Sequence, residues 1–338
     1  MSAQITLENL SRLMIDALCH HKTSNANATS VARALVSAEA QGLGGHGLSR
    51  LHAYCGQAAS GKVQGFATPT ASRISPSLIK IDAGNGFAYP AIDLAIESCT
   101  ASARENAIGC ALIGNSHHFG AAGLAAEKIA GAGQIAIMTG NSPKAIAPAG
   151  GNEPMFGTNP IAFAAPRRNL PPLVIDLSLS TVARGKVMVA AQRGEPIPTG
   201  WARDAEGKPT TDAQAGLDGS MEAIGGAKGA MLAMMIEILV AGLTSSNFGY
   251  EATSFFTAEG APPCTAQMLI VIDPQRAGAG NFDQRLESLL SAMLEQPGVR
   301  LPGSRRADLL AAAERDGVTI SDDAYQQLLE LAQTDLPN

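Results

Sequence analysis

Three of the six histidines in this 338-residue chain stand beside residues that could complete a proton-transfer site. One lies in Gly45-His46-Gly47-Leu48-Ser49-Arg50, and two lie in Ser116-His117-His118-Phe119-Gly120. Histidine is the side chain that titrates nearest neutrality and the usual carrier of protons in catalysis. Arg50 follows His46 by four positions and Tyr54 by eight, so a helix running from Gly47 would set all three along one face. There the guanidinium could grip a carboxylate bidentately while the imidazole faces the reacting centre. A capped helix with a surface arginine has the same spacing. His117 and His118 point to opposite sides of an extended chain and do not readily share one metal. With no H-x-x-x-H or C-x-x-C spacing anywhere, no metal site is expected.

Two further segments could hold an anion. Gly225-Gly226-Ala227-Lys228-Gly229 precedes an apolar helix and offers backbone N–H groups with one ammonium. Leu301-Pro302-Gly303-Ser304-Arg305-Arg306 is a second candidate, although paired arginines also occur on solvated faces. Gly42-Leu43-Gly44-Gly45-His46-Gly47 matches G-x-G-x-x-G literally, but it follows helical sequence where the dinucleotide motif requires a strand. It is not read as a Rossmann fingerprint.

The elements that must position these residues follow from periodicity. Apolar residues make up 46% and charged residues 16%, a well-buried globular composition. A net charge of −6 without a basic cluster argues against nucleic acid. Five widely spaced cysteines suit reduced thiols in a cytoplasm, and the first residues lack the pattern of a signal peptide. Two helices are expected within 6–42, opened by Thr6 and by Asn27-Ala28-Thr29, and a third over 48–57. Residues 61–76 read as a linker. Strands are expected at 78–82, 111–114, 135–138, 161–164, 173–177 and 268–274, and helices at 91–106, 123–132, 282–296 and 322–332. Residues 193–224 read as surface loops. The run 230–243 is too short to cross a bilayer and carries Glu237, so it reads as a helix buried on nearly every side.

Together these segments resemble the malate/L-lactate dehydrogenase-like, non-Rossmann family of NAD(P)H-dependent oxidoreductases. The resemblance rests on Gly45-His46-Gly47 with Arg50 and Tyr54, Asp82 to Phe87, Ser116 to Phe119 and Phe156 to Phe163. It continues through Asp176-Leu177, Ala183 to Lys186, Gly226 to Gly229 and Leu301 to Gly303, in family order over nearly the whole chain. It implies an α/β fold with a nicotinamide-binding domain of mixed, largely antiparallel sheet and a helical N/C-terminal domain. The expected division is a helical domain of residues 1–75 and 282–338 carrying the catalytic histidine, with 76–281 binding cofactor and substrate.

By the same resemblance, His46 is the general acid, and Arg50, Tyr54 and Thr158 meet a small carboxylate substrate. The cofactor lining comprises His118, Phe119, Gly120, Ala121, Ala122, Asp176, Leu177, Ser178, Arg184, Ala227, Lys228, Pro302, Gly303, Ser304, Arg305 and Arg306. Implied too are NADPH, with NADH as an alternative, a homodimer, a cytoplasmic location, and no membrane or nucleic-acid partner. The segments Gly242 to Phe248 and Leu269 to Pro274 look closest to the branch that reduces Δ1-pyrroline-2-carboxylate or Δ1-piperideine-2-carboxylate to L-proline or L-pipecolate. Three positions depart from that branch: Gly45 replaces its serine, Lys186 its aspartate, and Ala227 an aromatic residue or histidine. The expected activity is therefore cyclic-imine reduction. A 2-keto acid reductase, or a cofactor-binding relative without catalysis, stands as the alternative.

Overall fold

The protein is described here by a computed structural model covering residues 2–278 and 280–333. A short strand β1 (Ser2–Ile5) leads into helices α1 (Leu7–His20) and α2 (Asn25–Ala40). The hydroxyls of Thr6 and Ser24 accept from the N–H groups of Asn9 and Asn27, capping the two helices. Leu10, Leu13, Met14, Ala17 and Leu18 are buried, which is the apolar face that the spacing in α1 predicts. Helix α3 (Leu51–Ser60) follows, ending at Gly61 in the left-handed conformation.

Strands β2 (Thr70–Ser75) and β3 (Leu78–Asp82) come next, then helix α4 (Ala88–Asn106) and strand β4 (Ile108–Ser116). They are followed by α5 (Ala122–Gly131), β5 (Ile135–Gly140), β6 (Ile161–Arg167), β7 (Leu170–Leu177) and α6 (Arg184–Arg193). The stretch read as surface loops contains the two-residue strands β8 (Ala202–Arg203), β9 (Pro209–Thr210) and β10 (Ser220–Met221) and the short helix α7 (Ala213–Asp218). Elements this short carry no periodicity to detect. Helix α8 (Ala227–Glu237) then precedes β11 (Thr265–Ile272). Helices α9 (Phe282–Leu294) and α10 (Ser304–Asp316), strand β12 (Val318–Ser321) and helix α11 (Asp322–Leu331) end the described chain.

Seven strands form one sheet in the order β2-β3-β4-β11-β5-β6-β7. Only β3 and β4 pair in parallel, joined through α4; every other neighbouring pair is antiparallel. A mixed, mostly antiparallel sheet of this order is the expected α/β class and not a doubly wound one. Its central strand is buried on both faces. Leu269 and Val271 pack toward α4 and α5 with Ile113 and Met138, while Ala266 and Met268 pack toward α8 with Ala233 and Ile236.

A second core joins α1, α2, α3 and α11, with Phe87 and Tyr89 of the α4 start reaching into it. Strands β1 and β12 pair antiparallel beneath it. The expected linker contains β2, whose six residues are all exposed at the sheet edge, so no apolar face betrays it. Helix α9 leans on β6 and β7 through Leu290, Ala165 and Leu173. Residues 70–75 and 282–294 therefore accompany the sheet, although the sequence division assigned them to the helical part.

The apolar run 230–243 is not enclosed. Ala230, Ala233, Ile236 and Val240 face the core, but Met231, Leu232, Met234, Met235, Ile238 and Leu243 are exposed. An apolar residue pattern all round a helix marks two covered faces, and one chain covers only one of them here.

Candidate active site

The catalytic segment is not the continuous helix expected from its spacing. Residues Gly44–His46 and Leu48–Arg50 form two separate tight turns, with Gly47 at φ −101° and ψ −133° between them. Glu39 explains the break. Its carboxylate accepts the Leu48 N–H at 2.8 Å and occupies the space beside Gly47, where a side-chain carbon would stand 2.1 Å from Oε2. Arg50 is drawn back toward His46 by its Nε, which donates to the Gly45 carbonyl at 2.7 Å. Its guanidinium carbon lies 4.6 Å from the centre of the Phe256 ring.

Tyr54 lies below this pair and is fully buried. Its hydroxyl is 2.5 Å from Nδ1 of His118 and 3.0 Å from the hydroxyl of Tyr89. Expected as a substrate contact, it instead steers a histidine. His118 stacks on His46 with ring centroids 5.6 Å apart. His117, just past the end of β4, packs in a cage of Tyr54, Phe87 and Phe255, sharing Tyr54 and Phe255 with His118. Neither of its ring nitrogens has a hydrogen-bond partner among the described residues.

All three imidazoles are held neutral at ordinary pH. Burial, then the charges of Arg50 and Arg306, push His46 down to about 4. Burial, then Lys62 and Arg50, push His117 down to about 3. His118 is lowered well below its usual value by burial and then by Arg50. Burial also raises the Tyr54 phenol, so it stays protonated. A neutral histidine beside a guanidinium is poised to take a proton from a bound hydroxyl.

Thr158 sits in a loop fixed by a residue that sequence reasoning used only as an argument against a membrane span. Glu237 is buried in α8, and burial raises its pKa. Its carboxylate accepts from Asn141 Nδ2 at 2.9 Å, the Gly157 N–H at 3.1 Å, Asn159 Nδ2 at 3.0 Å and the Gly249 N–H at 3.1 Å. Thr158 lies between two of those anchors, and its N–H donates to the Ser142 hydroxyl at 3.1 Å. A lone acid within an apolar helix demands such partners, and that was the available signal.

The expected cofactor residues divide. Gly120, Ala121 and Ala122 lie at the α5 N-terminus, where Asp176 Oδ2 accepts the Gly123 N–H at 3.1 Å and faces Arg306 at 3.5 Å. Gly303, at φ +83°, presses on Val174, where a side-chain carbon would come within 3.2 Å of its carbonyl. The loop therefore brings Pro302, Ser304, Arg305 and Arg306 to the end of β7 near Leu177. Between this loop and the end of α2 opens a cavity of about 840 Å³, lined by Gln41, Leu43, Arg300, Gly303, Arg305 and Arg306. Ser178 neighbours the Gly225–Lys228 turn, because the Ile224 N–H donates to the Leu179 carbonyl at 2.8 Å and leaves Ala227 and Lys228 exposed.

Two expected cofactor residues are committed elsewhere. Phe119 is buried against Gly140, and Arg184 donates to the carbonyls of Lys144 at 2.9 Å and Leu217 at 3.3 Å. The exposed Gly225-Gly226 turn and the guanidiniums of Arg300 and Arg305, which have no hydrogen-bond or ion-pair partner among the described residues, fit a phosphate-bearing ligand. The Asp82–Phe87 motif proves architectural: Asp82 Oδ1 accepts from Gly84 N–H at 2.9 Å and Asn115 Nδ2 at 3.1 Å, fixing the turn that delivers Phe87.

A neutral histidine, a guanidinium fork and a neighbouring groove for a phosphate-bearing ligand define the site of an oxidoreductase. The chain belongs to the malate/L-lactate dehydrogenase family, whose profile matches residues 5–329. It is 50% identical over 306 residues to a (2R)-3-sulfolactate dehydrogenase (NADP(+)) from Chromohalobacter salexigens, covering 90% of this chain and 91% of that one. It is 37% identical to a Δ1-pyrroline-2-carboxylate/Δ1-piperideine-2-carboxylate reductase from Pseudomonas aeruginosa, covering 98% and 99%. The crystal structure of the Δ1-piperideine-2-carboxylate reductase from Pseudomonas syringae pv. tomato superposes with a TM-score of 0.92 at 37% identity, covering 97% and 99% of the two chains.

Proposed function

We propose that this protein interconverts a 2-hydroxy acid and its 2-oxo acid with NADP(H), and that its preferred acids carry a second anionic group, as 3-sulfolactate does. The observation carrying this reading is the charge around His46. Two guanidiniums act on it, Arg50 and Arg306, the second of them 3.5 Å from the Asp176 carboxylate. A dianion offsets both charges. A cyclic imino acid brings one carboxylate and, once protonated, a cationic nitrogen that both guanidiniums repel.

Arg50 would hold the carboxylate, and Thr158 would donate to it. The second anionic group would lie toward Arg306. His46 would accept the hydroxyl proton during oxidation and return it during reduction, while His118 and Tyr54 hold its ring in place. The nicotinamide, when bound, accepts or supplies the hydride. The guanidiniums of Arg300 and Arg305 support a cofactor bearing a 2′-phosphate, and the name of the sulfolactate relative agrees with that preference.

The second reading is cyclic-imine reduction, favoured by the Δ1-pyrroline-2-carboxylate and Δ1-piperideine-2-carboxylate reductases among the relatives. Two positions tell against it. By the resemblance, Gly45, with open space around it, replaces that branch's serine, and the exposed Lys186 replaces its aspartate. The test is NADPH oxidation with 3-sulfopyruvate, oxaloacetate, pyruvate, Δ1-pyrroline-2-carboxylate and Δ1-piperideine-2-carboxylate side by side. The expected kcat/KM for the dianions exceeds that for the imines by on the order of a hundredfold. The opposite order hands the protein to the second reading, and bound NADPH without any turnover would make it a non-catalytic relative.

A further inference from the structure

Residues Ser254 to Glu259 run past Arg50 and His117 as an irregular strap, held by the buried Gln57 and Lys62 and by the Ser60 hydroxyl. Lys62 is 2% exposed, and although the Glu259 charge acts on its ammonium, it forms no ion pair within 4 Å among the described residues. It donates instead to three strap carbonyls, those of Ser254 at 2.7 Å, Thr257 at 3.0 Å and Glu259 at 2.9 Å. Gln57 Nε2 donates to the Thr257 carbonyl at 3.0 Å, and the Ser60 hydroxyl donates to that of Ala258 at 2.8 Å. Five bonds from one short stretch of chain thus fix a segment without regular structure of its own.

What the strap presents is specific. Phe255 is buried, with its ring 5.2 Å from that of His117 and 5.1 Å from that of His118. Phe256 remains 41% exposed and lies under the Arg50 guanidinium, 4.6 Å from ring centre to Cζ. Arg50 is therefore held at two points. The Gly45 carbonyl takes Nε, and the aromatic face takes the plane of the guanidinium. Its Nη1 and Nη2 atoms have no hydrogen-bond partner among the described residues, so the edge that grips a carboxylate is left free and oriented.

We infer that Phe256 is a positioning residue for Arg50, and that the Lys62 clamp on the strap sets how tightly the enzyme binds the carboxylate of its substrate. The inference rests on the assignment of Arg50 as the carboxylate grip. It does not depend on which acid the enzyme prefers. A flexible arginine would lose rotamer freedom on binding; stacked and tethered, Arg50 loses less.

The test is calorimetric titration of oxalate into the NADP(+)-saturated protein, for wild type and the variants Phe256→Ala, Phe256→Tyr and Lys62→Met. Oxalate needs only the carboxylate grip, so the titration reads the strap even if none of the acids assayed above is turned over. Phe256→Ala should weaken oxalate about tenfold, with NADP(+) affinity and Tm unchanged. Phe256→Tyr, which keeps the ring, should bind within about twofold of wild type. Lys62→Met should weaken oxalate in the same direction, and Phe256→Ala keeps the inference testable if that variant does not fold. With any substrate that is turned over, the Phe256→Ala defect should fall in KM and leave kcat near its normal value. Unchanged oxalate affinity in Phe256→Ala, an equal loss in Phe256→Tyr, a parallel loss of NADP(+) affinity, or no oxalate binding by wild type would overturn it.

Discussion

His46 is neutral in the free protein because burial and two guanidiniums disfavour the imidazolium, which sets its pH behaviour. In the oxidation direction kcat/KM should stay level from neutrality downward and fall only as pH approaches about 4, where the free enzyme's base becomes protonated. The kcat profile should break at higher pH, since a bound dianion offsets the arginine charges and makes His46 more basic. His46→Gln should lower kcat by roughly a hundredfold or more and leave NADP(+) affinity unchanged; an ordinary kcat in that variant would remove the assignment. His117 offers a stability test. His46, His117 and His118 are all depressed, so the unfolded chain binds protons that the folded one refuses. Their contribution is complete above about pH 6.5 and is lost as pH falls toward 3 or 4. Each depressed histidine steepens this loss by up to about 1.4 kcal/mol per pH unit. His117→Phe should keep the cage packed and flatten the acid limb of the Tm profile; an unaltered limb would show that His117 does not titrate there. His46 and Arg50 were legible in the sequence because they are chain neighbours. The second guanidinium, Arg306, was not legible as a partner of His46, because that pairing depends on how the chain closes on itself.

At the scale of elements, α8 does more than fill the core. Glu237 accepts four hydrogen bonds from three separate segments and so fixes the loop that carries Thr158. Glu237→Ala leaves those donors buried without partners and should destabilise the fold by about 3 kcal/mol or more, read by chemical denaturation. A loss under about 1 kcal/mol would mean that water replaces the carboxylate. The helices and central strands were legible because their apolar periods are long and regular. The turns around Gly47 were not, since the deciding atom is the Glu39 carboxylate packed against them. The exposed strand β2 and the two-residue strands β8, β9 and β10 offered no periodic pattern, and the strap over Arg50 is irregular throughout.

At the scale of the whole molecule, the sheet, the helical core and the α10 loop converge on one site. The remaining anomaly is the bare apolar face of α8 and the segment after it. Its exposed methionines, leucines and isoleucine resemble half of an obligate interface, and the proposed occupant is a second copy of the chain. Met235→Glu should convert a dimer to a monomer in light scattering after size exclusion; a wild-type protein that is already monomeric would refute this. The central claim, that two guanidiniums around His46 select a dianion, is tested most directly by Arg306→Met assayed with 3-sulfopyruvate and with pyruvate. The account predicts that kcat/KM for 3-sulfopyruvate drops by on the order of a hundredfold, while that for pyruvate changes little. An equal loss for both would place Arg306 on the cofactor alone, and the dianion reading would fall with it.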